Sequence, residues 1–284
     1  MPRRLRPFVA STVYLVIGLF ALSTLLSVSI FPVITNDSLT YIDYADSLGT
    51  HGLVHAGYRQ FGYPLFIALG GVGSSILGVE PLLTIAILQR LLLATGLGYA
   101  IWLWRWWSAP VVVLVLSAET IAYTNLLLTE GLSLPLALLI GCATAHFFKL
   151  RAGQSLDSSP RLAMTLAVVV AALALALSSI RFPFAVFGIC PLLVLIGARG
   201  TTIARRASIV FGVYLALSIS LVGLVSAENF TEYGDFSPST RGARTEYWAA
   251  WSVVFKLEPG NGSDPRLSEY WDDGTPYGFV REVE

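Results

Sequence analysis

Three short stretches hold side chains that could do chemistry. The first is Asn36–Ala68, NDSLTYIDYADSLGTHGLVHAGYRQFGYPLFIA, the one long polar passage in the first two hundred residues. It crowds Asp37, Tyr41, Asp43, Asp46, Arg59 and Tyr63 between two apolar runs. The second is Thr129-Glu130-Gly131, with Glu119 eleven residues before Glu130. The third is Ser178-Ser179-Ile180-Arg181-Phe182-Pro183, an arginine between two apolar runs; Arg90 is a fourth isolated charge. A carboxylate at a membrane surface can serve as a general base when a hydroxyl lies within hydrogen-bond reach. A guanidinium fork can clamp a phosphate bidentately. Each residue also has a plainer role. Asp37 or Asn36 can cap a helix N-terminus. Asp43 and Asp46 can form a solvated face. Glu130 can be a solvated boundary charge, and Glu119 a polar contact inside a bundle. Arg181 and Arg90 can snorkel to lipid phosphates.

The elements that must position these groups are helices in a membrane. The chain of 284 residues is 55% hydrophobic and only 13% charged, with a mean hydropathy of +0.69. Soluble domains are about 45–50% apolar and about 25% charged, so much of this surface needs lipid as its solvent. Cys142 and Cys190 both sit inside apolar runs and read as small buried hydrophobes. The three histidines lack zinc-ligand spacing.

Apolar runs cover Phe8–Ile34, Leu82–Trp104, Pro110–Thr129, Leu132–Phe148, Leu162–Ile180, Phe182–Ala198 and Ala207–Ala227. The first is longer than a signal-peptide core and has no small-residue cleavage site, so it reads as an uncleaved helix. If Pro110–Thr129 is one continuous helix, Glu119 lies about 16 Å below Glu130. Gly62–Val79 is a further apolar run, rich in Gly and containing Pro64, and poorly suited to a lone span. Charge decides how it is counted. If it does not cross, Arg3, Arg4, Arg6, Arg105, Lys149, Arg151, Arg161, Arg199, Arg205 and Arg206 share one side, and Asp37, Asp43, Asp46, Glu80 and Glu130 the other. The positive-inside rule favours that arrangement. The expected architecture is therefore an all-α polytopic membrane protein of about seven spanning helices with a cytoplasmic N-terminus. Its long first external loop, residues 35–81, holds a surface amphipathic helix over Asp37–Leu48 and the non-crossing segment. Residues 1–227 form the membrane module. Residues 228–284 are polar, external, and read as the start of a longer C-terminal region.

In order, Asp37-Ser38 with Tyr41, Arg59-Gln60-Phe61-Gly62-Tyr63-Pro64-Leu65-Phe66, Gln89, Thr129-Glu130 and Ile180-Arg181-Phe182-Pro183 resemble the bacterial polytopic glycosyltransferases of the GT-C fold. The likeness is to the dolichyl-phosphate-mannose and aminoarabinose transferase group, and it covers about residues 8–200. Phe61 stands where that pattern has proline, and Ile180 and Phe182 depart from its Thr-Arg-Pro turn. The resemblance implies an inverting glycosyltransferase at the external face of the plasma or inner membrane. Its donor would be a polyprenyl-phosphate sugar, and its acceptor a glycan, lipid or protein hydroxyl. Asp37 would be the base. Glu130 would orient the acceptor or share a divalent cation, Mg²⁺ or Mn²⁺, with Asp37. Arg181, with Arg59 or Arg90 as substitutes, would hold the phosphate, and Tyr41 and Tyr63 would line the substrate site. The aromatic residues after Ala227 could form an acceptor platform or anchor at the interface. Two other classes stay open: a transporter or flippase with Glu119, Arg90 and Arg181 along its path, and a non-catalytic, truncated relative of the transferases. No internal repeat of the transporter kind is visible, and no nucleotide-binding loop or basic nucleic-acid patch occurs.

Overall fold

In the computed structural model the described residues are 15, 17–19, 21, 22, 26, 29, 31–51, 60–116, 121, 124–153, 159–233 and 236. The chain divides into two units, Met1–Ser239 and Thr240–Glu284, and the second lies outside the described residues. So do Arg59, Glu119 and the side chain of Asp37.

Helix ends follow local chemistry. Helix α1 (Asn36–His51) begins after Thr35, and the cap is reciprocal. Ser38 N donates to Thr35 Oγ1 at 3.3 Å, and Thr35 N donates to Ser38 Oγ at 2.9 Å. This is a capping box with serine in the third position. Helix α2 (Gly62–Leu77) has Pro64 in its first turn and stops at Gly78, whose φ of 66° suits glycine. Helix α3 (Pro81–Trp104) starts on a proline, with the Glu80 carboxylate accepting from Leu83 N at 2.7 Å. Then come a 3-10 turn (Arg105–Ser108), α4 (Ala109–Val115), α5 (Thr129–Ala152), α6 (Pro160–Ile180), a 3-10 segment (Phe182–Gly188), α7 (Ile189–Ala198) and α8 (Ala204–Tyr233). The described residues are all-α, apart from one isolated parallel bridge between Val33 and Leu126.

Among the described residues four helices are long and apolar enough to cross a membrane: α3, α5, α6 and the Ala204–Glu228 part of α8. Leucines, valines and isoleucines such as Leu91, Val168, Ile209 and Ile219 stay exposed on them, as on a membrane protein. Of the other expected spans, Phe8–Ile34 lies mostly outside the described residues, and Pro110–Thr129 and Phe182–Ala198 are shorter or broken. The run Pro110–Thr129 is not one helix. It is the seven-residue α4, with a turn and the Val33 bridge at its far end. Thr124 Oγ1 bonds Ile121 O at 2.6 Å, and Asn125 turns its side chain to Arg90. Both compete with helical backbone bonding. Thr129-Glu130-Gly131 therefore opens α5 instead of closing a third helix, and the expected depth of Glu119 below Glu130 has no continuous helix to rest on. Phe182–Ala198 likewise splits into 3-10 and α portions, and α8 runs past Ala227 to Tyr233.

Contacts fix the directions of the helices. Gly96 lies against Leu138, and Lys149 Nζ reaches Leu103 O at 3.1 Å, so α3 and α5 run the same way. Residues 105–128 must then return along the bundle. Helix α6 runs back, because Arg181 at its end meets Glu130 at the start of α5. Gly197 packs on Phe147 and Phe148, so the segment through α7 ends beside the end of α5. Helix α2 pairs only with the first third of α3: Tyr63 bonds Gln89, Gly70 meets Ile85 and Gly73 meets Thr84. The main core joins Phe147, Val170, Leu177 and Ile203 from α5, α6 and the α7–α8 turn to Tyr41 and Tyr63.

Candidate functional site

Five elements converge at the end of the bundle where α5 starts and α6 stops. Arg181 leaves α6 in extended conformation, and its Nη1 contacts Glu130 Oε1 at 2.6 Å across 51 residues of sequence. Thr129 Oγ1 donates to the other carboxylate oxygen, Oε2, at 3.0 Å. Both charged side chains are a little over one third exposed, so water reaches the pair.

Gly62 brings α2 into the same place. A Cβ there would lie 2.6 Å from the Ser179 carbonyl carbon and oxygen, so only glycine lets the start of α2 touch the end of α6. Next to it Tyr63 is fully buried and accepts from Gln89 Nε2 at 2.9 Å. Burial pushes the Tyr63 phenol well above the ordinary tyrosine value; the Gln89 bond lowers it, and the neighbouring Tyr41 and Glu130 raise it further. Tyr63 is thus a neutral hydroxyl at any working pH. Gln89 is also fully buried, and its Oε1 has no partner. Tyr41 of α1 meets the Tyr63 ring edge-on at 5.1 Å. That contact carries α1, and with it the backbone of Asp37, onto this end of the bundle.

The cap on α1 changes how Asp37 reads. Thr35 does the capping that Asn36 or Asp37 was expected to do. Asp37 is the second residue of the helix, where a carboxylate is favoured by the helix dipole. The buried face of α1 also differs from expectation. It is Ser38, Tyr41, Tyr44 and Ala45, whereas Leu39 is half exposed. A stripe spaced every three residues drifts around a 3.6-residue helix, and the tyrosines hold the true contact line. Asp43 and Asp46 are exposed, as a solvated face requires.

Arg90 goes elsewhere. It is buried, and its Nη2 donates to Ser29 O at 2.8 Å and to Asn125 Oδ1 at 2.6 Å; Asn125 Nδ2 also bonds Ser29 O. Its guanidinium ties the N-terminal helical stretch to the strand-like turn before α5. Arg59 lies outside the described residues. Glu130, Arg181, Tyr41 and Tyr63 are therefore brought together, while Arg90 is drawn into a separate structural knot. Sequence reasoning missed Asn125 and the Thr35–Ser38 box. The box has a readable T-x-x-S signal; Asn125 shows only as a lone amide near the end of an apolar run.

Glu130 offers little to a metal, since Arg181 and Thr129 engage both its oxygens. Among the described residues no three of His, Cys, Asp and Glu gather as a ligand set. A cavity of about 60 Å³ lies beside Ser178, lined by Gln60, Ser178, Tyr214, Ser218, Leu221 and Val225. That is room for a few waters. Comparison of the chain with protein-family models, with curated proteins and with solved structures gives no match.

Proposed function

We propose that this protein transfers a sugar from a polyprenyl-phosphate donor to an acceptor hydroxyl at the face of the membrane that carries α1, Glu130 and Arg181. In this reading the chain crosses seven times, through the N-terminal stretch, α3, residues 109–128, α5, α6, residues 182–198 and α8, and α2 stays on one side. The observation that carries the proposal is the meeting of Arg181 with Glu130 on the end of the bundle to which Tyr41 and Tyr63 tie the Asp37 helix.

Asp37 takes the acceptor's hydroxyl proton as that oxygen attacks the anomeric carbon. The bond from that carbon to the donor phosphate oxygen breaks with inversion, and the polyprenyl phosphate leaves with the bonding pair. A phosphate leaving group needs positive charge and no proton, and Arg181 supplies it. Glu130 fixes one edge of the guanidinium and leaves its other nitrogens to face the phosphate. Tyr63 and Tyr41, both buried, hold the Asp37 helix against this end of the bundle.

The test is transfer from a polyprenyl-phosphate sugar in vesicles holding the purified chain. Asp37→Asn should lower turnover by about 10²–10⁴-fold, the usual worth of a general base, with donor binding unchanged. Arg181→Gln should weaken donor binding and turnover together. Full activity in Asp37→Asn removes the base assignment. No turnover by the intact chain with any lipid-linked sugar tried favours the non-catalytic reading.

A further inference from the structure

Among the described residues the arginines fall into two populations. Arg90 and Arg181 are partnered, one by Asn125 and the Ser29 carbonyl and the other by Glu130. The second population is Arg105, Arg151, Arg161, Arg199, Arg205 and Arg206. All six are exposed, and no guanidinium among them has a hydrogen bond or ion pair.

These six also share one end of the bundle. Lys149 Nζ on Leu103 O sets the end of α5, with Arg151, beside the end of α3, with Arg105. Phe147 and Phe148 against Gly197 set Arg199 beside the same end of α5. Arg161 opens α6, which runs antiparallel to α5 and so starts there. Arg205 and Arg206 lie in the first turn of α8, directly after the turn where Ala198 and Ile203 pack into the shared core. The described carboxylates lie elsewhere, with Asp43 and Asp46 on α1, Glu80 and Glu130 at the starts of α3 and α5, and Glu228 near the end of α8.

This arrangement is electrostatically costly without a counter-charge. Like charges crowd one rim, and two of them occupy the N-terminal turn of a helix, where the backbone dipole disfavours cations. Helix α8 is also the least packed of the four long apolar helices, with 6% of its apolar stretch buried inside the protein. At its base Ala207 and Tyr214 pack into the shared core with Val210 and Phe211 against it, which holds Arg205 and Arg206 at the rim. Exposed Trp102 and Trp107 stand at the end of α3 and in the turn after it, beside the rim, and aromatic side chains favour the membrane interface.

We propose that this rim, centred on Arg199, Arg205 and Arg206 at the α7–α8 turn, docks anionic phospholipid headgroups. The chemistry is phosphodiester recognition by guanidinium forks beside a helix N-terminus. The inference concerns the end of the bundle away from Glu130 and stands whether or not sugar transfer occurs.

Native mass spectrometry of the full chain in detergent, with added phosphatidylglycerol or phosphatidylcholine, tests it. Phosphatidylglycerol adducts should form at much lower lipid concentration than phosphatidylcholine adducts. Each arginine near an anionic surface is worth about fivefold, so Arg199→Gln/Arg205→Gln/Arg206→Gln should cost on the order of 100-fold in phosphatidylglycerol binding. The charge-preserving Arg199→Lys/Arg205→Lys/Arg206→Lys should retain most of it. Should the glutamine variant not fold, the wild-type comparison decides alone, because added salt must erase the preference for phosphatidylglycerol. Equal adducts with both lipids, or an unchanged preference in a folded glutamine variant, overturns the proposal. Displacement of phosphatidylglycerol by millimolar inorganic phosphate also overturns it, by showing a free-anion site instead of a lipid one.

Discussion

Arg90 and Arg181 present the same choice in the sequence and opposite environments in the fold. Both are lone cations beside apolar runs, and nothing local separates a clamp from a structural tie. The difference lies in partners that are distant in sequence. Arg90 is 8% exposed and bridges Ser29 and Asn125, 61 and 35 residues away. Arg181 shares a partly wet ion pair with Glu130. Their variants should therefore fail in different ways. Arg90→Met strips the buried Asn125 amide, and the Ser29 carbonyl, of their charged donor, which costs on the order of 2 kcal/mol. It should lower Tm while sparing donor affinity. Arg181→Met removes a pair exposed enough to contribute at most about 1 kcal/mol, so Tm should barely move while donor binding is lost. Thermal unfolding of both variants in detergent, alongside binding of a polyprenyl phosphate, separates them. An Arg181→Met protein as unstable as Arg90→Met would make Arg181 another structural tie. Asp37 shows the opposite kind of legibility. The T-x-x-S box that relieves it of capping was readable in Thr35 and Ser38, but the neighbouring Asn-Asp drew the eye as the more usual caps.

At the scale of elements, four of the long apolar runs were legible as helices. Helices α3, α5, α6 and α8 fall within a few residues of the runs that announced them. The breaks were not, because hydropathy is blind to them. Val111, Val112, Val113 and Val115 are as apolar inside a seven-residue helix as in a long one. Only the later Thr124 and Asn125 bonds show why the helix does not reach Thr129. The junction of α2 with α6 is another tertiary fact hidden in a common residue. Gly62 matters because the Ser179 backbone lies where a side chain would begin. Gly62→Ala must push the start of α2 off α6, at about 1–3 kcal/mol for an overpacked contact. It should also disturb Tyr63, and with it the seat of α1. Sugar transfer and Tm should both fall. Adding Ser179→Gly removes the hydroxyl but leaves the carbonyl group 2.6 Å from the new Cβ, so the double variant should stay impaired. Full rescue would mean that the side chain alone sets the spacing.

At the scale of the molecule, the question is which segments cross. Charge supplies one argument: nine arginines and a lysine, Arg3, Arg4 and Arg6 among them, share one side only if the glycine-rich segment after Arg59 does not traverse. The fold supplies an independent reason. Helices α3 and α5 run in the same direction, with Gly96 beside Leu138 and Leu103 beside Lys149. The broken stretch between them must return across the membrane if both helices span it. Helix α2, by contrast, pairs with residues 84–89 of α3 and goes no further along it. A segment that accompanies another for a third of its length is placed to lie against one end of the bundle. Cysteine accessibility reads this directly. In a chain whose Cys142 and Cys190 are replaced by alanine, Asp46→Cys and Glu80→Cys bracket α2, and Arg151→Cys marks the arginine rim. The Glu80 substitution removes a cap worth about 1 kcal/mol, which a 24-residue helix tolerates. An impermeant maleimide added to sealed right-side-out vesicles should modify positions 46 and 80 and spare 151, which should react only after the vesicles are opened. Labelling of position 46 with protection of 80 would make α2 a crossing segment. The rim of arginines would then lie on the same side as Asp37, and the charge argument that paired it with the N-terminus would fail.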